Sequence, residues 1–238
     1  MKLVKKDRLP ASSCGADVKL SVEGAFRIVE DMVTELMGDQ KIDGVTCMRE
    51  YGAMWVFVRN RIEMPERLGW MEEYTATSYI SSFSKIRLYI DTILEKADGT
   101  VVLRSRLELC AVDLETGKIR KSETVGVGEK TPAEEPLFDI AYSREKPSKD
   151  ALLGQVTVRP TDIDYCHHTN NIAYVRYFMD RFTTDDLIEK PVRAIEVQYA
   201  TQTHEGDLLD VYSCGSEQAE AFVIELDGTK VVSCSVER

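Results

Sequence analysis

Residues 98–109 read DGTVVLRSRLEL, and residues 227–238 read DGTKVVSCSVER. Each is an Asp-Gly-Thr turn that runs into a segment of alternating apolar and polar side chains, the period of a strand with one buried face. Asp-Gly is a strong hairpin signal, because a tight turn between strands needs residues that accept positive φ. Candidate strands precede the first turn at 55–62, 74–83 and 86–95, and the strand after it covers 101–112. The second turn follows candidate strands at 193–203, 208–214 and 219–226 and leads into a last one at 230–236. A shorter strand is expected at 155–159.

A helix precedes each set. Ser21 is a good N-cap, and Val22, Ala25, Phe26, Val29, Met32, Val33, Leu36 and Met37 after it fall on one helical face, with Gly38 as the expected C-cap. The second helix starts near Asn170 and Asn171 and presents Tyr174, Val175, Phe178 and Phe182. Element order and turn therefore repeat, and the expected class is α+β with two copies of helix followed by antiparallel sheet. Between 122 and 154 the periodicity fades, and three of the seven prolines (Pro132, Pro136, Pro147) lie there. The expected organisation is an N-terminal domain at 1–125, a linker at 126–153 and a C-terminal domain at 154–238.

The 238 residues carry 30 Lys and Arg against 41 Asp and Glu, a net charge of −11. That balance argues against non-specific binding to nucleic acid or to an anionic membrane surface. No apolar run approaches the ~20 residues of a membrane span, and no apolar segment follows the charged start MKLVKKDRLP. Six scattered cysteines, without a CxxC pair, are expected as reduced thiols in a cytoplasmic protein.

Residues 159–177, RPTDIDYCHHTNNIAYVRY, concentrate groups capable of chemistry: Asp162, Asp164, Cys166, His167, His168, Asn170 and Asn171. Two of the three histidines are here, and the third is His204. The loop feeds a helix N-terminus, whose first N–H groups lack intrahelical partners and polarise a carbonyl oxygen placed against them. Asp164 suits a base or nucleophile, and His168 suits orienting a water or donating a proton. Hydrolysis of an activated acyl compound fits that set. Asp162 and Asn170 also read simply as turn and helix caps, and His167 as a solvated neighbour. The Cys166, His167, His168 and His204 spacing matches no common zinc pattern, and no metal or organic cofactor is expected.

This stretch resembles the acyl-acyl carrier protein thioesterases of bacteria and plants. Their Asp-x-Asn-x-His run and Asn-Asn helix start fall on Asp164, Cys166, His168, Asn170 and Asn171, preceded by Arg159 and Asp162. In the first half, the Trp55 strand and the Asp113, Thr116, Gly117, Arg120 turn are similar too. The resemblance implies a tandem hotdog, with the acyl chain held by the N-terminal unit and catalysis in the C-terminal one. Two positions depart from the pattern: the family's catalytic Asn is Cys166, and its Glu-Cys pair aligns with Gln202 and Thr203. Cys166 is then a weak hydrogen-bonding group, an inert residue, or a nucleophile whose pKa the helix end and nearby histidine lower. Gln202 can position a water but cannot take its proton.

The expected activity is hydrolysis of acyl-acyl carrier protein to free fatty acid and carrier. Asp164, His168, Cys166 and Gln202 form the catalytic set, and the Asn170 and Asn171 amides polarise the carbonyl. An acyl-CoA thioesterase, a hotdog dehydratase and a non-catalytic acyl-binding module are the alternatives, and the chain is expected as monomer or homodimer. Acyl carrier protein is itself acidic, so docking needs a local basic surface: Lys5, Lys6 and Arg8, or Arg144 with Lys146 and Lys149.

Overall fold

The computed structural model describes residues 2–128, 131, 133–144, 148–215 and 220–238. The chain divides into two compact units, Met1–Ala141 and Tyr142–Arg238. No helix among the described residues is long and apolar enough to cross a membrane.

In the N-terminal unit β1 (Lys2–Arg8) leads through a turn of 3-10 helix at Ala11–Ser13 into α1 (Val22–Asp39) and α2 (Gly44–Tyr51). Four long strands follow: β2 (Ala53–Glu63), β3 (Glu73–Phe83), β4 (Leu88–Glu95) and β5 (Val101–Asp113). The sheet order is β1-β3-β4-β5-β2, antiparallel throughout. Helix α1 forms where its apolar stripe required: the Ser21 hydroxyl accepts the Gly24 N–H at 3.0 Å. Phe26, Val29 and Val33 are fully buried against β1, β3 and β4. Burial of that stripe stabilises the helix far more than propensity does, by about 2 kcal/mol per large apolar side chain. Gly38 is not the C-cap. The helix continues to Asp39, and Gln40 closes it in right-handed conformation, since no positive φ is needed there.

The C-terminal unit contains β6 (Ser148–Thr157), a 3-10 turn at Pro160–Asp162, α3 (Asn171–Met179) and α4 (Thr184–Glu189). After them come β7 (Ala194–Tyr199), β8 (Leu208–Gly215), β9 (Glu220–Leu226) and β10 (Thr229–Glu237). Its order, β6-β8-β9-β10-β7, reproduces the N-terminal sheet strand for strand, again antiparallel. Helix α3 packs on this sheet through Phe178 against Phe222 and Tyr174 against Tyr199.

The two Asp-Gly-Thr turns occupy matched places but differ. Asp227 and Gly228 both have positive φ, a two-residue hairpin between β9 and β10. In the first copy Gly99 alone is left-handed, and the loop closes through Lys96 N–H to Thr100 O. Strands β1 and most of β6 were not expected, and residues 148–153 belong to β6 rather than to a linker. Both are edge strands with exposed side chains, so neither carries an alternating apolar signal. Residues 133–141 likewise pack on the N-terminal sheet: Ile80 O accepts Glu134 N–H, Tyr79 Oη accepts Leu137 N–H, and Arg106 donates to Ile140 O while gripping buried Asp91. Pro132, Pro147, Lys146 and Ala219 lie outside the described residues.

Candidate active site

Pro160 opens the 3-10 turn, where its fixed φ and missing N–H are tolerated. The chain then makes a narrow loop closed by a bridge between Ile163 and Thr169. Asp164 N–H donates to His168 O at 2.9 Å, and His167 N–H donates to Asp164 O at 3.0 Å, with His167 left-handed at φ 63°. Asp164 and His168 thus face each other across the loop base, and Tyr165, Cys166 and His167 form its tip. The Asp164 carboxylate accepts Cys166 N–H at 2.8 Å, which fixes its orientation.

The loop is held to the segment after β7. Thr169 N–H donates to Thr203 O at 2.9 Å, and buried Thr203 Oγ1 lies 2.6 Å from Thr169 Oγ1 and 2.7 Å from Tyr174 Oη. That juncture brings His204 edge-on to His168, with ring centroids 5.1 Å apart. Gln202 is exposed on the same segment. Burial, then the His204 ring, pushes the His168 pKa below the usual imidazole value. His168 is therefore neutral near pH 7, and its Nδ1 is buried without a hydrogen-bond partner. The Cys166 thiol is pushed up, by burial first and the Asp164 carboxylate second. The shift is opposite in direction to the lowering that a helix end and a histidine would give.

Asn170 caps α3: its Oδ1 accepts Ile172 N–H at 2.8 Å. Its own backbone N–H is already donated to Asp162 O at 2.8 Å, so its main chain has no donor left for a carbonyl. Asn171 N–H is the neighbouring amide without a partner among the described residues. Asp162 does more than cap a turn. It is buried and holds Arg176, Tyr177 and Arg159 N–H. The sequence signals neither this cluster nor the Thr203–Tyr174 contact, because partners on different elements meet only through packing. Among the described residues no three His, Cys, Asp or Glu side chains converge to hold a metal ion.

The N-terminal unit contains the same loop. Cys14 bridges Leu20, Gly15 N–H donates to Lys19 O at 2.8 Å, and Val18 N–H donates to Gly15 O at 3.0 Å, with Val18 at φ 60°. Ser21 N–H reaches Ser13 O as Asn170 N–H reaches Asp162 O, and Leu20 N–H reaches Leu68 O as Thr169 N–H reaches Thr203 O. Matching these bonds sets Gly15 against Asp164, Asp17 against Cys166, Lys19 against His168 and Arg67 against Gln202. Asp17 on this loop and Arg67 on the segment between β2 and β3 form a two-pronged ion pair.

Of the expected docking cations, Lys5 is paired with Glu35, Arg8 with Glu73 and Lys149 with Glu225. A cavity of about 880 Å³ lies in the N-terminal unit near the C-terminal end of α1, between Ile42, Tyr51, Phe83 and Val127.

Residues 145–235 match the family model of the acyl-ACP thioesterase C-terminal domain, which bears out the resemblance read from the loop. The chain is 22% identical over 204 residues to oleoyl-acyl carrier protein thioesterase 2, chloroplastic, of Arabidopsis thaliana, covering 80% of this chain and 55% of that one. A second relative, from Coriandrum sativum, is 22% identical over 196 residues, with 76% and 53% covered. The chain thus spans about half the length of the curated relatives it matches. A crystal structure of an acyl-ACP thioesterase from Bacteroides thetaiotaomicron shares the fold with a TM-score of 0.89, 19% identity and 99% and 97% of the two chains covered. The 12:0-ACP thioesterase from Umbellularia californica superposes with a TM-score of 0.86 at 16% identity, covering 99% and 96%.

Proposed function

We propose that this chain hydrolyses an acyl thioester, acyl-acyl carrier protein being the substrate the similarity favours, to free fatty acid and carrier in fatty acid synthesis. The carrying observation is the loop 163–169. There Asp164 and neutral His168 stand opposite each other, just before a helix N-terminus whose Asn171 amide is available. We read the two units as a pair of hotdog folds, the first holding the acyl chain and the second the chemistry. The six unpaired cysteines suit a reducing compartment such as the cytoplasm.

In the mechanism Asp164 acts as base, taking a proton from the water that adds to the thioester carbonyl, or as nucleophile, forming an acyl-enzyme anhydride that water then opens. In either case the carbon–sulfur bond breaks and the carrier leaves as its thiol, taking up the proton that the water gives. The oxyanion that develops is met by the Asn171 N–H, where the helix dipole adds to the stabilisation. Neutral His168 orients the water through a ring nitrogen, and exposed Gln202 offers an amide to the same water. Cys166 stays protonated and works as a small neutral residue beside Asp164, not as a nucleophile.

The test is incubation of the purified chain with carrier protein and with coenzyme A bearing acyl groups of several lengths, read by mass spectrometry. Free acid with bare carrier is the expected product. Release from coenzyme A alone would move the assignment to the acyl-CoA class. Loss of water with the carrier still loaded would move it to a dehydratase, and binding without release would leave an acyl-binding module.

A further inference from the structure

The carboxylate of Asp162 is bound from three directions. Arg159 N–H donates to it at 2.9 Å, the Tyr177 hydroxyl donates at 2.6 Å, and the Arg176 guanidinium pairs with its other oxygen. With the Asn170 N–H on its main-chain oxygen, this residue ties the entry of the loop, the exit of the loop and the later turns of α3 together. The Tyr177 proton is held well above the usual phenol range by burial and by that bond.

The backbone does not require such a cluster. Ser13 stands at the matched position of the N-terminal unit, where Ser21 donates N–H and Oγ to Ser13 O at 3.0 and 3.1 Å, and the same loop forms. Counting from the N-caps Ser21 and Asn170, Arg27 matches Arg176 and Ile28 matches Tyr177. Arg27 turns to Glu23 on its own helix instead. Burying a carboxylate costs desolvation that pairing with the half-exposed Arg176 guanidinium only partly offsets, so the N-terminal arrangement is the simpler way to hold this fold. The charged anchor occurs only in the copy that carries Asp164 and His168.

We infer that Asp162, held by Tyr177 and Arg176, is a positioning residue for the reaction, fixing Asp164 and the Asn171 amide at their working separation before substrate arrives. The geometry is direct: Asp162 lies two residues before Asp164 and, through Asn170, one residue before Asn171. Pre-set geometry of this kind acts on the chemical step more than on binding. The inference rests on the thioesterase reading above.

Full-length Tyr177→Phe, Asp162→Asn, Arg176→Met and Arg176→Lys test it, assayed well below their melting temperatures, with Arg27→Met as the matched control. Expected are losses in kcat of about tenfold for Tyr177→Phe and about a hundredfold for Asp162→Asn, with KM within about twofold of wild type. Arg176→Lys should recover most of what Arg176→Met loses, and Arg27→Met should leave kcat unchanged. Amide hydrogen exchange at 163–171 should quicken in the impaired variants while the core of β9 and β10 exchanges as before. Unchanged kcat, or unchanged exchange in the loop, overturns the inference. So does an equal loss in Arg27→Met. If Asp162→Asn does not fold, Tyr177→Phe decides by the same criteria. A wild type that releases no acyl group defeats the functional reading instead, and the exchange data still decide whether Asp162 anchors the loop.

Discussion

Loops 14–20 and 163–169 share one backbone and little else. Each has a bridge at its base, a left-handed residue near its tip and a polar N-cap at its exit. These are main-chain features, which side chains modify only slightly. On that common frame the N-terminal copy places Gly15, Asp17 and Lys19, and it clasps Asp17 with Arg67. The C-terminal copy places Asp164, Cys166 and His168, with neutral Gln202 at the matched position. The ion pair ties the first loop to the segment at Arg67. Neutral side chains at the same places in the second leave Asp164 and His168 without a counter-ion competing for them. The comparison teaches that one backbone frame holds different side chains in the two copies, and that the proposed chemistry would rest on the four of the second.

The largest expected effect comes from making the second loop like the first. Asp164→Ala should lower kcat by about 10³-fold with the fold intact, within the range that removal of a general base produces; turnover equal to wild type would end the mechanism. Next is Gly24→Ala. A Cβ there would stand 2.3 Å from Ser13 O, so urea unfolding should show a loss of roughly 3 kcal/mol. The matched Ala173 already carries a Cβ, and Ala173→Gly should cost only about 1 kcal/mol. Equal costs would mean that the two helices approach their turns alike.

Arg67→Met should cost roughly 2 kcal/mol, because it leaves partly buried Asp17 unpaired and removes a donor from Leu20 O. The exposed counterpart Gln202→Met should fall within about 0.5 kcal/mol of wild type in stability and show its effect in kcat. Val18→Asn should stabilise by about 1 kcal/mol, since a β-branched residue is strained at φ 60°. At His167, left-handed but unbranched, the same change should matter less.

The smallest effect is on pH. His168 has its pKa lowered by burial, by His204 and by His167, against Asp164, which raises it. The neutral ring therefore contributes stability above the usual imidazole value that is lost as pH falls through the lower folded pKa. Activity should fall on the same limb. His204→Ala should move that limb towards higher pH, read from log kcat against pH; a shift in the opposite direction would refute the assignment.

Much of this was legible in the chain. The Asp-Gly-Thr turns and the alternation after them marked both halves, and the stripe from Val22 to Met37 marked α1, because periodic burial leaves a periodic sequence. Edge strands β1 and β6 left no such trace. Nor did α2 and α4, each too short for a helical period to stand out. In the proposed site, Asp164 and His168 stand out in the sequence through local concentration and family resemblance. The limits were equally local. Local sequence leaves open whether Asn170 donates its N–H and which of three roles Cys166 takes; in the fold that N–H is bound to Asp162 O, and burial pushes the Cys166 thiol up.

The sequence by itself determined that there are two copies, where their helices begin and which loop carries carboxylate beside histidine. Those are matters of spacing along the chain. Only the tertiary structure decided that residues 14–20 repeat that loop, because the likeness lies in main-chain hydrogen bonds that different side chains satisfy equally well. It also decided the contacts of Asp162 with Tyr177, Thr203 with Tyr174 and His168 with His204. Each joins residues on separate elements, and packing alone sets which of them meet.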